Sequence, residues 1–304
     1  YLAWFAPGLS PAAQWAVKLA VIWGATWLNL RGAFRVGRVS TWAGLFVLGT
    51  FLAIALAALG NGVASGGVRA PWTPFLKPGE TPVAGIGVGL SIAMWNYFGW
   101  DNASTVGGEV VDAGRTYPRA LAIAVPLVAA GYFVPLLATL STSDWTTWRE
   151  GGWPEIAAAT GGPLGGVLAA TVAVAGMVSA LALYNALLLA FSRIPLAMAG
   201  DGLLPAALAR TDARGTPRAA VLFAAVCYSV FTLLPFAQLV VADSLLYALA
   251  MFLEFGALLA LRRREPGLRG PFRIPLPFAG VVVLAVLPAV VFLAAVGFSI
   301  AGGE

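Results

Sequence analysis

Eight apolar stretches, each near twenty residues, constrain this chain more than any other feature of its sequence. They run over residues 12–30, 41–60, 84–108, 119–141, 164–195, 218–237, 243–261 and 279–301. At 1.5 Å rise per residue, an apolar helix of that length crosses the roughly 30 Å of hydrocarbon in a bilayer. Backbone N–H and C=O groups have no water to bond there, so the segments must be helices or close into a barrel. Barrel strands are about half as long and alternate in polarity. The expected class is therefore all-α, a polytopic membrane protein of eight helices.

Composition agrees. Hydrophobic residues make up 60% of the chain and charged residues 10%, against about 25% charged in ordinary soluble domains. The net charge is +5, but the basic residues form no stripe suited to a nucleic acid, and no nucleic-acid partner is expected. They alternate with the spans instead. Arg31, Arg35, Arg38, Arg115, Arg119, Arg193, Arg210, Arg214, Arg218, Arg262, Arg263, Arg264, Arg269 and Arg273 fall on one side. Arg69, Lys77 and Arg149 fall on the other, with Lys18 inside the first span and snorkelling outward. Such a bias assigns the larger set to the cytoplasm and both chain ends to the outside. A wrong number of spans would scramble it.

Several functions lose their usual chemistry. The chain has no histidine, which removes the Ser-His-Asp triad, the Cys-His pair and the HExxH zinc motif. Cys227 is alone in an apolar run, so no disulfide or cysteine metal site is expected, and neither is any cofactor. An enzyme is not expected. A channel would show rings of charge or selectivity-filter repeats, and neither is visible. The chain opens on Tyr1 with no basic leader and reads as part of a longer protein. The loop over 61–82 is Gly- and Pro-rich and external. That over 142–162 carries Trp145, Trp148 and Trp153, expected at the headgroup level.

The third span carries the most chemistry. An apolar half gives way to Trp95, Asn96, Tyr97, Phe98, Gly99, Trp100 and Asp101, followed by Asn102, Ser104 and Thr105. A carboxylate at mid-bilayer costs about 2.5–3.5 kcal/mol on insertion scales, so it faces a wet cavity or a partner. Gly99 lowers helix propensity by about 1 kcal/mol relative to Ala, and a helix break is expected there. Free backbone groups at a break line a cavity and can bind the charged ends of a solute. The broken helix's N-terminus suits a carboxylate, and the aromatic faces suit an ammonium. The bland reading of the same residues is a Gly-rich packing helix with an interfacial Trp belt. Elsewhere, Ser179 and Asn185 read as interhelical glue or as secondary site residues. Glu254 either binds a cation or proton or lies beside the Arg262–Arg264 cluster. The sequon at Asn102 lies within a span and is discounted.

Several stretches resemble the amino acid–polyamine–organocation (APC) transporters. FGWDNASTVGGE over 98–109 and the following DAGRTYPRAL over 112–121 resemble their sixth transmembrane helix and its exit loop. SRIPLAMAGDGLLP over 192–205 with RGTP over 214–217 resembles the eighth helix and the loop to the ninth. LYALAMFLEF over 246–255 and PFRIP over 271–275 resemble the tenth helix and its exit. The Trp95–Asn96 and Trp100–Asp101 pairs look closest to polyamine-uptake members. The resemblance implies a LeuT-like fold of two inverted five-helix repeats. In this chain 1–60 would end the first repeat, 84–262 would form the second, and 279–301 would be an additional helix. It further implies substrate binding at Trp95, Asn96, Tyr97, Phe98, Gly99, Trp100 and Asp101, with transport of amino acids or polyamines by proton symport or exchange. The implied location is the plasma (inner) membrane, the partners being a small-molecule substrate, protons and the lipid bilayer. Two departures stand out. The family's first three helices have no counterpart here, so by this reading the stretch by itself would not transport, and a non-transporting scaffold is the alternative. The lysine that some proton-coupled relatives carry in their fifth helix is also missing from the matching 41–50, leaving Asp101 or Glu254 as candidate coupling groups.

Overall fold

A computed structural model describes residues 2–302 apart from 7, 78, 80, 84, 87, 88, 91, 92, 94–98, 100, 150 and 269–272. The longer helices are α1 (Pro11–Asn29), α2 (Ala33–Ser65), α3 (Ala113–Leu140), α4 (Trp153–Thr160), α5 (Gly165–Phe191), α6 (Arg193–Gly200), α7 (Arg218–Phe231), α8 (Phe236–Arg264) and α9 (Phe278–Gly302). No strand occurs among the described residues. Among the described residues, four helical stretches are long and apolar enough to cross a membrane: Ala33–Ser65, Ala113–Leu140, Gly162–Gly200 and Gln238–Arg264. Shorter apolar helices cover Arg218–Phe231 and Phe278–Ala294. Eleven of the 25 residues of the expected 84–108 span, Trp95 to Phe98 among them, lie outside the described residues.

Local chemistry sets the boundaries. Ser10 caps α1 by accepting from the Ala13 N–H, with Pro11 opening the helix. Gly32, at φ 102°, breaks the chain between α1 and α2. Pro195 has no N–H to offer the carbonyl of Phe191 and its ring crowds that carbonyl, which divides α5 from α6 at Ser192. Pro235 does the same to Phe231. As a result α7 stops after 14 residues, about 21 Å, short of the expected 218–237 span. The residues beyond Pro235 open α8.

The chain divides into two compact units. The first contains residues 1–73, 104–106 and 120–233. Its core joins Ile54 of α2, Ala157 of α4 and Leu168 and Val172 of α5, with Phe51 and Trp153 against them. A second cluster joins Leu188 of α5 to Val221 and Ala224 of α7. Helix α4 falls inside the stretch expected as an external loop. Gly152, Pro154 and Glu155 make a favourable N-terminus, and Trp153 meets Phe51 edge-on at 4.9 Å. Trp153 thus packs onto α2 through an aromatic partner, which buries part of its ring. Lys18 is exposed, and Cys227 is a partly buried free thiol.

The second unit contains residues 74–103, 107–119 and 234–304. Helices α8 and α9 meet through Phe252 and Phe292, edge-on at 6.0 Å. Arg262 donates to the Ile274 carbonyl at 2.9 Å, clamping the loop between them.

Packing in the first unit can be tested at Ile54, which is fully buried. In water, Ile→Ala costs about 2–5 kcal/mol. In lipid the unfolded reference is itself apolar, so the transfer term shrinks and the cavity term remains. Ile54→Ala is therefore expected to cost about 2 kcal/mol, read as a lower thermal midpoint in detergent. An unchanged midpoint would show that the site collapses around the missing atoms.

Candidate functional site

The site is built around Gly99. Its φ is 94°, a conformation that side chains with a Cβ rarely adopt. A Cβ there would also approach Asn102 Nδ2 to 3.1 Å. The chain then runs into a 3-10 helix over Asp101–Glu109. Nine residues is long for that geometry, which usually lasts three or four. The expected break at Gly99 is thus present. Trp95, Asn96, Tyr97, Phe98 and Trp100 lie outside the described residues, as does the side chain of Asp101.

Neighbouring elements hold the break. In the second unit, the Gly99 N–H donates to the Tyr247 hydroxyl of α8 at 3.0 Å, and the Tyr117 hydroxyl of α3 donates to the Ala103 carbonyl. In the first unit, the Thr105 hydroxyl donates to the Ala190 carbonyl of α5 at 3.2 Å. A released backbone donor is satisfied by a side chain, as membrane depth demands.

Tyr247 points to a feature that the sequence reading passed over. Asp243, Tyr247 and Glu254 are spaced i, i+4 and i+11 on α8, which puts all three on one helical face. The signal was present as spacing, but without a structure nothing set Tyr247 apart from other aromatics. Glu254 is exposed and forms no ion pair with a described residue, the Arg262–Arg264 cluster included. It lies about 10 Å along α8 from Tyr247. The arrangement offers a broken backbone, a phenol and two carboxylates, chemistry suited to an ammonium group or a proton.

Asn185 and Ser179 behave differently. Asn185 is buried in the first unit, where its Oδ1 accepts from Asn29 Nδ2 of α1 at 2.6 Å. The Asn29 amide also donates to the Ala25 carbonyl at 3.0 Å. This is interhelical glue, and it leaves Asn29 Oδ1 and Asn185 Nδ2 without protein partners. Ser179 is exposed on α5. Asn185→Ala is expected to cost about 0.5–2 kcal/mol, because Asn29 loses its partner in an apolar setting. In a double-mutant cycle with Asn29→Ala the losses should be less than additive. Additive losses in thermal unfolding would show that the pair does not couple.

Long apolar helices, a left-handed turn at Gly99 that leads into a 3-10 helix, and exposed apolar side chains such as Ile123, Phe133, Leu249 and Leu253 define a multi-pass membrane protein with an interrupted backbone segment. The family model described as amino acid permease matches residues 1–302, and the chain belongs to that family. It is 32% identical over 286 residues to an Arabidopsis thaliana protein named "Probable polyamine transporter", covering 93% of this chain and 57% of that one. It is 33% identical over 288 residues to a polyamine transporter of Oryza sativa subsp. japonica, covering 92% and 51%. It is also 30% identical over 269 residues to a branched-chain amino acid permease of Lactococcus lactis, covering 82% and 54%. The chain spans about half the length of these relatives.

Proposed function

We propose that this chain belongs to a secondary transporter that carries polyamines or amino acids across the plasma membrane by alternating access. The observation that carries the reading is the Gly99 break, held by Tyr247 on a helix face that also bears Asp243 and Glu254. Broken helices at membrane depth are where carriers of this kind bind solutes. The eight apolar stretches are read as eight transmembrane helices of a LeuT-like fold. In it 1–60 closes the first inverted repeat, 84–262 forms the second and 279–301 adds a helix. Substrate would meet Trp95, Asn96, Tyr97, Phe98, Gly99, Trp100 and Asp101.

Polyamines are favoured over neutral amino acids. A polyamine is all cation, and the face of α8 beside the break supplies two carboxylates and a phenol. A neutral amino acid needs its carboxylate neutralised, and the described part of the site holds no cation for that. The relatives named polyamine transporters also cover more of the chain than the amino acid permease does. Proton symport and exchange both suit a carboxylate able to take up a proton, with Glu254 and Asp101 the candidates.

The test is uptake of radiolabelled putrescine and leucine by proteoliposomes that hold the full-length protein to which this stretch belongs, with and without an inward proton gradient. Saturable putrescine uptake is the expected result. Leucine uptake without putrescine uptake would reverse the substrate preference. Flux that never saturates would favour a channel, and no flux in folded protein a scaffold.

A further inference from the structure

The end of α1 and the loop before α7 line an open pocket of about 420 Å³, with Trp27, Leu30, Arg31, Asp212, Arg214 and Arg218 on its walls. All six belong to the first unit, on the face that the charge bias assigns to the cytoplasm. The two elements abut closely: a Cβ on Gly32 would lie 3.8 Å from Oγ1 of the buried Thr216. The Arg31 guanidinium stacks 3.5 Å from the centre of the Trp27 ring, which fixes it toward the cavity wall.

The cavity's one carboxylate is already engaged. The Asp212 carboxylate accepts from the backbone N–H of Arg214 at 2.8 Å and of Thr216 at 3.0 Å. Those bonds, the Thr216 one foremost, hold its carboxyl below the usual carboxylate range. Arg31, Arg214 and Arg218 form no ion pair within 4.0 Å of a described residue. Three guanidiniums thus line one pocket with a single carboxylate, whose charge acts on Arg214 and Arg218 and leaves a net positive site, and the positive end of the α7 dipole adds to it. Such a cavity favours a polyvalent or diester anion. The wall above it is apolar: Trp27 is 56% exposed and Trp23, one turn further into α1, is 43% exposed. A phosphate held by the arginines would have its hydrocarbon lying along α1.

We propose that this cavity binds the phosphate of an anionic phospholipid headgroup at the cytoplasmic leaflet, with Arg31, Arg214 and Arg218 as its ligands. Arginine's planar fork matches two phosphate oxygens at once, and basic pockets at the cytoplasmic ends of helices suit such headgroups. The site is independent of the transport reading, because it uses no residue of the helix break.

The test is a titration of the purified chain in detergent, followed by native mass spectrometry, with phosphatidylglycerol, phosphatidylcholine, glycerol 3-phosphate and inorganic phosphate. Phosphatidylglycerol should bind more tightly than phosphatidylcholine. The R214A/R218A double variant should lower its affinity on the order of twentyfold, roughly fivefold for each arginine near the headgroup, with phosphatidylcholine unaffected. R214K/R218K keeps the charge but not the fork and should lose less, which guards against a folding defect in the alanine variant. R35A/R38A removes the same charge from the exposed start of α2 and should change affinity less than twofold. Equal binding of the two lipids by the unaltered protein would overturn the proposal, as would an equal loss in R35A/R38A. Displacement of phosphatidylglycerol by equimolar inorganic phosphate or glycerol 3-phosphate would assign the cavity to a free phosphate instead.

Discussion

Gly99→Val should cut putrescine uptake at least about fivefold, with the protein still folded. Valine would have to adopt φ 94°, where a branched Cβ collides with its own backbone. Such conformations cost about 1–3 kcal/mol each. The new Cβ would also press on Asn102 Nδ2 at 3.1 Å. Relaxing to negative φ would relieve both, but it would swing the Gly99 N–H away from the Tyr247 hydroxyl. The broken conformation would then be depopulated by roughly 5- to 150-fold, and uptake falls with the competent fraction. Gly99→Ala should lose less, since it avoids the branched carbon. Initial uptake rates in proteoliposomes, set beside thermal unfolding of the same preparation, separate this from a stability defect. Unaltered uptake by folded Gly99→Val would remove the break from the mechanism.

For Glu254→Gln the expected result is an increase of about tenfold in the putrescine KM, with little change in stability. The side chain is exposed and forms no ion pair with a described residue, so replacing it with its isosteric amide removes charge without breaking a contact. A cation about 4 Å from a carboxylate gains about 4 kcal/mol at an effective dielectric of 20. Desolvation takes back much of that, leaving about 1.4 kcal/mol, or tenfold. If Glu254 instead carries the coupled proton, KM holds while the stimulation of uptake by an inward proton gradient disappears. Unchanged KM together with unchanged gradient dependence would exclude Glu254 from both roles. Asp243, about 16 Å away along α8, provides the comparison: Asp243→Asn should weaken polyamines long enough to span both carboxylates more than it weakens putrescine.

Much of this was legible in residues 84–109 before any coordinates. A glycine between aromatics and a carboxylate, deep in an apolar run, implies a break because lipid penalises both the helix-weakening residue and the charge unless something local uses them. Asn185 was legible as interhelical glue for the same reason, since a lone amide in hydrocarbon has to find another polar group. The helix ends at Ser192 and Phe231 were written as Pro195 and Pro235. Averaging hydropathy over twenty residues hid them, because proline stops a helix without making a stretch less apolar. Helix α4 was missed because its sequence is too short to count as a span and its flanks carry charge. Its helicity comes from Ala157 and Trp153 fitting against α2 and α5, a tertiary reward that no local pattern reports.

The sequence by itself determined the all-helical membrane class, the family and the place of the break. Each follows from short-range physics: the cost of bare peptide groups and charges in hydrocarbon, and the backbone freedom of glycine. Only the tertiary structure decided which groups meet. It chose Tyr247 to satisfy the Gly99 amide, turned Trp153 inward, and gathered Arg31 with Arg214 and Arg218 across about 180 residues of chain. Those pairings depend on how distant helices pack, and contacts so far apart in the chain leave no periodicity in the sequence from which to read them.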